Sequence, residues 1–427
     1  MEIVNIIGGG LAGSEAALYL AKHKIYVRLF EMRPQKMTPA HHSDKFAELV
    51  CSNSLKSKNL DNASGLLKME LELLGSNIIK VAKATSVPSG NALSVDRELF
   101  SEQVSELIKS SPYIEVINSE VTSLPSGLTI VATGPLTSPD LTSHLQKLIG
   151  QNFLNFFDAS APIIEKDSID FNVAYYKSRY EQGDNSYINC PFTKEEYLSF
   201  YEQLINAKLA PLHDFDLDYF SGCMPIEVMA KKGVDTLRHG PLKPRGLRKN
   251  NDHHPYAVMQ LRQDNVSASL YNLVGFQTNL TYNEQKRVFR LIPGLAKAEF
   301  VRFGLMHRNT YINAPKVLNY DLSLKQDANV FIAGQLSGVE GYVESAMTGL
   351  IAAINVRQRI KKDEMISFPT ETMIGALLNY LHQANSETFS PMNANFGIFV
   401  GATKHNRLEI ASKSLAQIKL LKEEEGL

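Results

Sequence analysis

Three sets of residues in this chain have the types and spacing to do chemistry. The first is Gly8-Gly9-Gly10-Leu11-Ala12-Gly13, which satisfies G-x-G-x-x-G. In such a turn the first glycine allows a sharp bend and the second lets backbone N–H groups approach a pyrophosphate. The third lets helix and strand pack closely. Glu31, at the end of the following strand, is placed to accept hydrogen bonds from ribose hydroxyls. The second set comprises Thr133-Gly134 in TIVATG and Gly334-Gln335 followed by Gly338, Gly341 and Tyr342, ahead of a helix rich in small residues. The glycines from Gly334 to Gly341 and the helix after them would aim N–H groups at the electron-rich pyrimidine end of a flavin, which with the strand end at Thr133-Gly134 points to FAD rather than a resting NAD. No second G-x-G-x-x-G occurs, so a reduced nicotinamide is expected to bind transiently at the flavin face. The third set is Cys51, Cys190 and Cys223. A thiolate is a competent nucleophile, and these three lack the CxxC spacing of a zinc site and any basis for a disulfide framework.

The elements that must position these groups follow from periodicity. Residues 3–7 (IVNII) read as a buried strand, 11–22 (LAGSEAALYLAK) as a helix and 25–31 (IYVRLFE) as a strand, a βαβ unit that puts the glycine turn between strand and helix. Helices are predicted around 65–74 and 97–110, and strands at 114–117 and 128–132. From 181 to 304 the texture changes: aromatic and basic residues interleave, with strand-like runs at 256–262 and 269–276. From about 315 the first pattern returns, with a strand at 329–333, a helix from about 344 to 359 and a charged helical tail. The fold class is α/β: a Rossmann-type FAD-binding domain built from 1–180 and 305–427, with an inserted α/β domain at 181–304 facing RNA or substrate.

The composition narrows the partners. Forty-four basic against 45 acidic residues leave a net charge of −1, which excludes a protein that coats nucleic acid indiscriminately, so any RNA site must be a local patch. At 44% hydrophobic and 21% charged, the chain fits neither a disordered nor a membrane class. Sparse cysteines, a strand at the very start and no apolar run of the roughly 20 residues needed to span a bilayer predict a cytoplasmic protein. His41, His42 and Asp44 could suggest a metal, but no fourth ligand stands at zinc spacing and no metal is expected.

Six segments do not follow from fold needs: FAELVCSNSLKS at 46–57, GCMPIEVM at 222–229, AVMQLRQ at 257–263, EQKRVFRLIPG at 284–294, MHRNTYINAPK at 306–316 and GQLSGVEGYVESA at 334–346. Together they closely resemble TrmFO, the folate- and FAD-dependent tRNA uracil-5-methyltransferase family, from residue 5 to about 396. The FAD domain is more distantly similar to MnmG, a flavoprotein that also modifies tRNA and has a longer helical C-terminal part. The resemblance implies methylation of the T-loop uridine of tRNA, with 5,10-methylenetetrahydrofolate supplying the carbon and NAD(P)H, through FAD, the hydride. It implies Cys223 as the thiolate that adds to uracil C6 and so makes C5 nucleophilic, and Cys51 as a flavin-proximal thiol in a supporting role. Cys190 lies outside the shared motifs and reads as structural. Tyr342 is expected near the isoalloxazine or pterin, and His307 and Arg308 in the folate or uridine pocket.

For RNA, residues 231–249 carry Lys231, Lys232, Arg238, Lys243, Arg245, Arg248 and Lys249 against the single acid Asp235. Lys286, Arg287, Arg290, Arg302 and Arg308 form a second basic group, and Tyr256 and Tyr271 could stack on unpaired bases. Lys243, Arg245, Arg248 and Arg287 are the expected contacts, and no protein partner is implied. Residues 247–255 (LRKNNDHHP) depart from the DPRTGKRP-like segment of the family. The same chemistry on large-subunit rRNA, as in the RlmFO paralogues, is therefore the alternative. Two rivals of other classes are a non-catalytic flavin-binding RNA-interaction protein and a plain NAD(P)H–flavin oxidase, neither of which needs both Cys51 and Cys223.

Overall fold

In the computed structural model, residues 2–181, 185–210, 224–249, 254–361 and 364–427 are described. The first strand β1 (Ile3–Ile7), the helix α1 (Leu11–Lys22) and the strand β2 (Tyr26–Glu31) form where the apolar spacing predicts them. They belong to a five-stranded parallel sheet in the order Val330–Ile332, Thr129–Val131, β1, β2, Ile114–Asn118. The chain places β2 on one side of β1 and returns much later to the other side. The crevice at the carboxyl end of β1 is thus a topological switch point, where open α/β sheets bind ligands.

Register makes this crevice specific. Ile7 pairs with Val131, and Val131 with Ile332, so Gly8, Ala132 and Ala333 leave the three strands at one level. The two glycine-containing turns and the turn at Thr133-Gly134, far apart in sequence, therefore meet at one edge. Close packing depends on missing side chains. A Cβ on Gly13 would lie 1.9 Å from the Gly8 carbonyl oxygen, and one on Gly349 of the long helix Tyr342–Lys361 would lie 2.2 Å from the Ala12 carbonyl oxygen. Around this sheet runs one core, from Val4 to Leu421.

A second sheet of six antiparallel strands has its own core, which includes Cys190, Phe200, Met259 and Phe289. Its order is Tyr175–Tyr176, Ile188–Phe192, Ala257–Gln263, Leu270–Leu273, Ile163–Glu165, Phe300–Arg302. Two of these strands precede residue 181, where the change of texture begins. Ile163–Glu165 is too short to signal itself and is recruited by pairing with Leu270–Leu273 and Phe300–Arg302. A two-stranded ribbon, Leu154–Ala159 with Met306–Tyr311, carries the chain into and out of this unit.

Candidate active site

At the nucleotide end, Glu31 is the organising group. Its Oε2 accepts from Gly9 N at 2.8 Å and from Arg33 Nη2 at 3.3 Å, and its Oε1 accepts from Arg33 N and Nε, both at 3.0 Å. Four bonds fill the acceptor directions of a carboxylate, so Glu31 holds the glycine turn in shape. A ribose hydroxyl would compete with Arg33 Nη2, the longest of the four. Burial pushes the Glu31 carboxyl up, but the Arg33 guanidinium and the amides of Arg33 and Gly9 outweigh it and hold the group below the ordinary carboxylate value. Arg33 is itself 1% exposed and also reaches Ser43 O at 3.1 Å and Glu48 at 3.3 Å. Neither Arg33 nor Glu48 stands out by spacing, because their role is to fix the turn rather than to form a motif.

Above this turn lies a cavity of about 420 Å³. Gly8, Gly9, Gly10, Leu11, Ala12, Glu31, Thr133, Gly134, Gly334, Gln335, Gly341, Tyr342 and Cys51 all line it, while Gly13 packs beneath. The first turn of α1 has no side-chain cap, and the missing side chain of Gly10 faces open space, with nothing within 4 Å of a Cβ there. Uncapped N–H groups at a helix start with room above them form an anion cradle. Two further wall atoms, Asn309 Oδ1 and Glu344 Oε2, are buried and have no hydrogen-bond partner among the described residues. Such groups cost free energy unless a polar ligand meets them. This wall fits FAD: a phosphate cradle at one end and unmet polar atoms further along. Asn309 and Glu344 sit inside the segments MHRNTY and GYVESA, but only their placement in the wall separates them from their neighbours.

At the other end of the cavity, Tyr342 Oη accepts hydrogen bonds from Cys51 N at 2.9 Å and Ser52 N at 3.1 Å, and lies 3.0 Å from Cys51 Sγ. Burial first, and the adjoining thiol second, push the Tyr342 hydroxyl well above its ordinary pKa, so it keeps its proton. With two amides on its lone pairs, its O–H is left to donate to the sulfur. The Cys51 segment is pinned from two more directions. Arg97 donates to Leu49 O at 2.5 Å and pairs with Asp264 at 3.0 Å, and Arg262, from the second sheet, donates to Ser52 Oγ at 2.7 Å and Asn53 Oδ1 at 3.1 Å. Lys56 meets Glu344 at 3.3 Å beside the same wall.

The other expected site residues are scattered. Cys190 is fully buried in the second core, and burial pushes its thiol up to about 12. Cys223 lies outside the described residues, as do the side chains of His307 and Arg308. Lys243 and Arg245 are exposed on a loop whose backbone is stapled by Arg179, which donates to Lys243 O at 3.0 Å and Arg245 O at 2.6 Å. Lys177 donates to Arg248 O at 2.9 Å. Arg287 is engaged with Glu284 at 2.7 Å on its own helix. The expectation that Tyr271 stacks on bases is corrected: it is 1% exposed, because its strand is central in the second sheet and turns the ring into the core. Tyr256 is covered by the Arg238 guanidinium, 3.6 Å from its ring centroid. Among the described residues no three His, Cys, Asp or Glu side chains are grouped to hold a metal ion.

The chain matches the family described as Glucose inhibited division protein A over residues 3–364. It is 54% identical over 429 residues to methylenetetrahydrofolate–tRNA-(uracil-5-)-methyltransferase TrmFO of Acetivibrio thermocellus, covering 99% of this chain and 98% of that protein. It is 53% identical over 405 residues to the protein of the same name from Bacillus cereus, covering 94% and 93%. Among solved structures, Aquifex aeolicus GidA superposes with a TM-score of 0.74 at 17% identity, over 100% of this chain and 76% of that one, a likeness of fold.

Proposed function

The chain belongs to the TrmFO family of methylenetetrahydrofolate–tRNA-(uracil-5-)-methyltransferases, and from this premise we propose that it methylates C5 of the T-loop uridine of tRNA. The carbon comes from 5,10-methylenetetrahydrofolate, and NAD(P)H is the reductant. Bound FAD supplies the hydride that turns the transferred methylene into methyl. The protein's part is to make C5 a nucleophile and to hold the reactants along the cavity wall. We assign the first task to Cys223, whose thiolate adds at C6 and pushes electron density onto C5. C5 then attacks the folate methylene, loss of the C5 proton expels the tetrahydrofolate amine to leave an exocyclic methylene, and addition of the hydride to that carbon expels the thiolate and restores the ring.

The observation that carries the reading is Cys51. A thiol stands in the wall of the dinucleotide cavity, with its sulfur 3.0 Å from the Tyr342 hydroxyl. A plain NAD(P)H–flavin oxidase, or a flavin-binding protein that only holds RNA, has no use for a thiol so placed. RNA is assigned to the second unit, where Lys243 and Arg245 are exposed. Among the described residues no helix is long and apolar enough to cross a membrane.

Isotope tracing tests the proposal. The FAD-loaded protein is given NAD(P)H, a tRNA transcript, and either methylene-labelled folate or methyl-labelled S-adenosylmethionine. Label is expected in 5-methyluridine from the folate alone. Label arriving from S-adenosylmethionine instead overturns the donor, and label absent from the tRNA but present in a parallel reaction with a 23S rRNA fragment overturns the target.

A further inference from the structure

A second cavity of about 250 Å³ shares with the first the lining residue Val50, which directly precedes Cys51 in the chain. Tyr282, Arg302 and Phe303 form its wall. Here three aromatic rings are stacked in one column. Tyr282 and Phe303 have centroids 4.8 Å apart at 21°, and Phe303 and Phe300 are 5.5 Å apart at 12°. The column ends at Tyr282, which is 54% exposed. An exposed tyrosine at the end of a ready-made stack leaves a flat face for one more ring, and the rigid column is already ordered.

Cations flank the column. Lys286, on the same helix as Tyr282 (Tyr282–Phe289), lies 5.5 Å from the Phe303 centroid and makes no ion pair among the described residues. Arg302 is half-buried and donates through Nη2 to Val50 O at 2.9 Å and Ala40 O at 3.3 Å. It too makes no ion pair among the described residues. Burial, then the nearby Arg97, lowers the Arg302 pKa, against Tyr342, Glu48 and Asp264, which raise it. A half-buried cation facing a cavity with no carboxylate among its described lining residues, beside an open aromatic face, calls for a ligand carrying both an anion and a planar ring.

We propose that this second cavity seats one unpaired nucleotide of the RNA substrate next to the target uridine, its base stacked on Tyr282 and its phosphates between Arg302 and Lys286. The inference rests on the RNA-methyltransferase reading and deepens it. RNA is favoured over the folate because small-molecule sites enclose most of their ligand, whereas this column opens at the surface, with Val301 on its rim also 54% exposed. A polymer that continues into solvent can use such a platform. Base–aromatic stacking of this kind tolerates any base, so the seat positions the RNA while sequence is read elsewhere.

The test uses FAD-loaded protein and a T-arm hairpin carrying 2-aminopurine beside the target uridine. Quenching of the probe on binding is expected for wild type and for Tyr282→Phe. Tyr282→Ala should lose the quenching and bind the hairpin about 5- to 160-fold more weakly, the range for one base–aromatic stack. Its flavin absorbance should be intact, as the side chain is exposed. Lys286→Gln should lower the slope of log affinity against log salt by about 0.7, as for one lost contact to a single strand. If Tyr282→Ala keeps the affinity and the quenching but raises the KM for folate, the seat belongs to the folate and the proposal is wrong. If wild-type protein binds no RNA, the methyltransferase reading fails and this seat with it.

Discussion

Cys51 Sγ lies 3.0 Å from Tyr342 Oη although 291 positions separate the two residues, and the same hydroxyl accepts the amides of Cys51 and Ser52. One side chain therefore orients both the backbone and the sulfur of a segment in the cofactor wall. The first prediction follows from this. Tyr342→Phe should slow iodoacetamide alkylation of Cys51 about tenfold at neutral pH, since a hydrogen bond to a charged group is worth roughly 1.5–3 kcal/mol. Mass spectrometry of the labelled peptide reads the rate. An unchanged rate across pH would mean that the hydroxyl does not support the thiolate.

The two glycines of the turn should behave differently. Gly10→Val projects into open space, so the protein should fold yet lose FAD, measured as the ratio of flavin to protein absorbance. Gly13→Val would collide with the Gly8 carbonyl, 1.9 Å from the new Cβ, and should lower the melting temperature even of the flavin-free protein. A yellow, fully loaded Gly10→Val variant would remove the phosphate cradle from this turn.

Covalent trapping separates the cysteines. RNA with 5-fluorouridine at the target should crosslink to wild type and to Cys51→Ala, because fluorine blocks the proton loss that frees the enzyme, whereas Cys223→Ala should not crosslink. The opposite pattern on a denaturing gel would exchange the two roles.

The basic residues divide by what already engages them. Reversing Lys243, Arg245 and Arg248 to Glu should weaken RNA binding and flatten its salt dependence by about 0.7–0.9 per lost phosphate contact. Arg287→Glu should do much less, because Arg287 is already paired with Glu284 at 2.7 Å. Equal effects in a salt titration would place the RNA across both surfaces.

Glu70 makes the fold pH-sensitive. It is fully buried, accepts from Met373 N at 2.7 Å and Ile374 N at 2.8 Å and also from Ser414, and burial pushes its carboxyl up to about 7 against 4.5 in an ordinary setting. The folded state therefore binds this proton more tightly than the unfolded state. Its contribution is fully present below about 4.5 and is lost as pH rises to about 7. The melting temperature of wild type should fall relative to Glu70→Gln across that window, and parallel curves would show that Glu70 does not titrate there.

Much of the cofactor site is legible in the chain itself. The glycine turn, Glu31, Thr133-Gly134 and the turn at Gly334 through Gly341 are local patterns whose meaning depends only on near neighbours: a strand before, a helix after, glycine where backbone must come close. Strand and helix limits follow for the same reason, because burial on one face imposes its period on the residues. What local pattern cannot carry is partnership across the sheet. That Ile7, Val131 and Ile332 share one level, that Tyr342 reaches Cys51, and that Arg33 occupies Glu31 all depend on strand order and register. The second unit shows the same limit. Ile163–Glu165 joins its sheet only by pairing, and Tyr271 is a base-stacking candidate by type but a core residue by position. Residue type and spacing determined which chemistry this protein can hold; the tertiary structure decided which of those residues face the cavity, because burial and pairing are properties of the whole sheet.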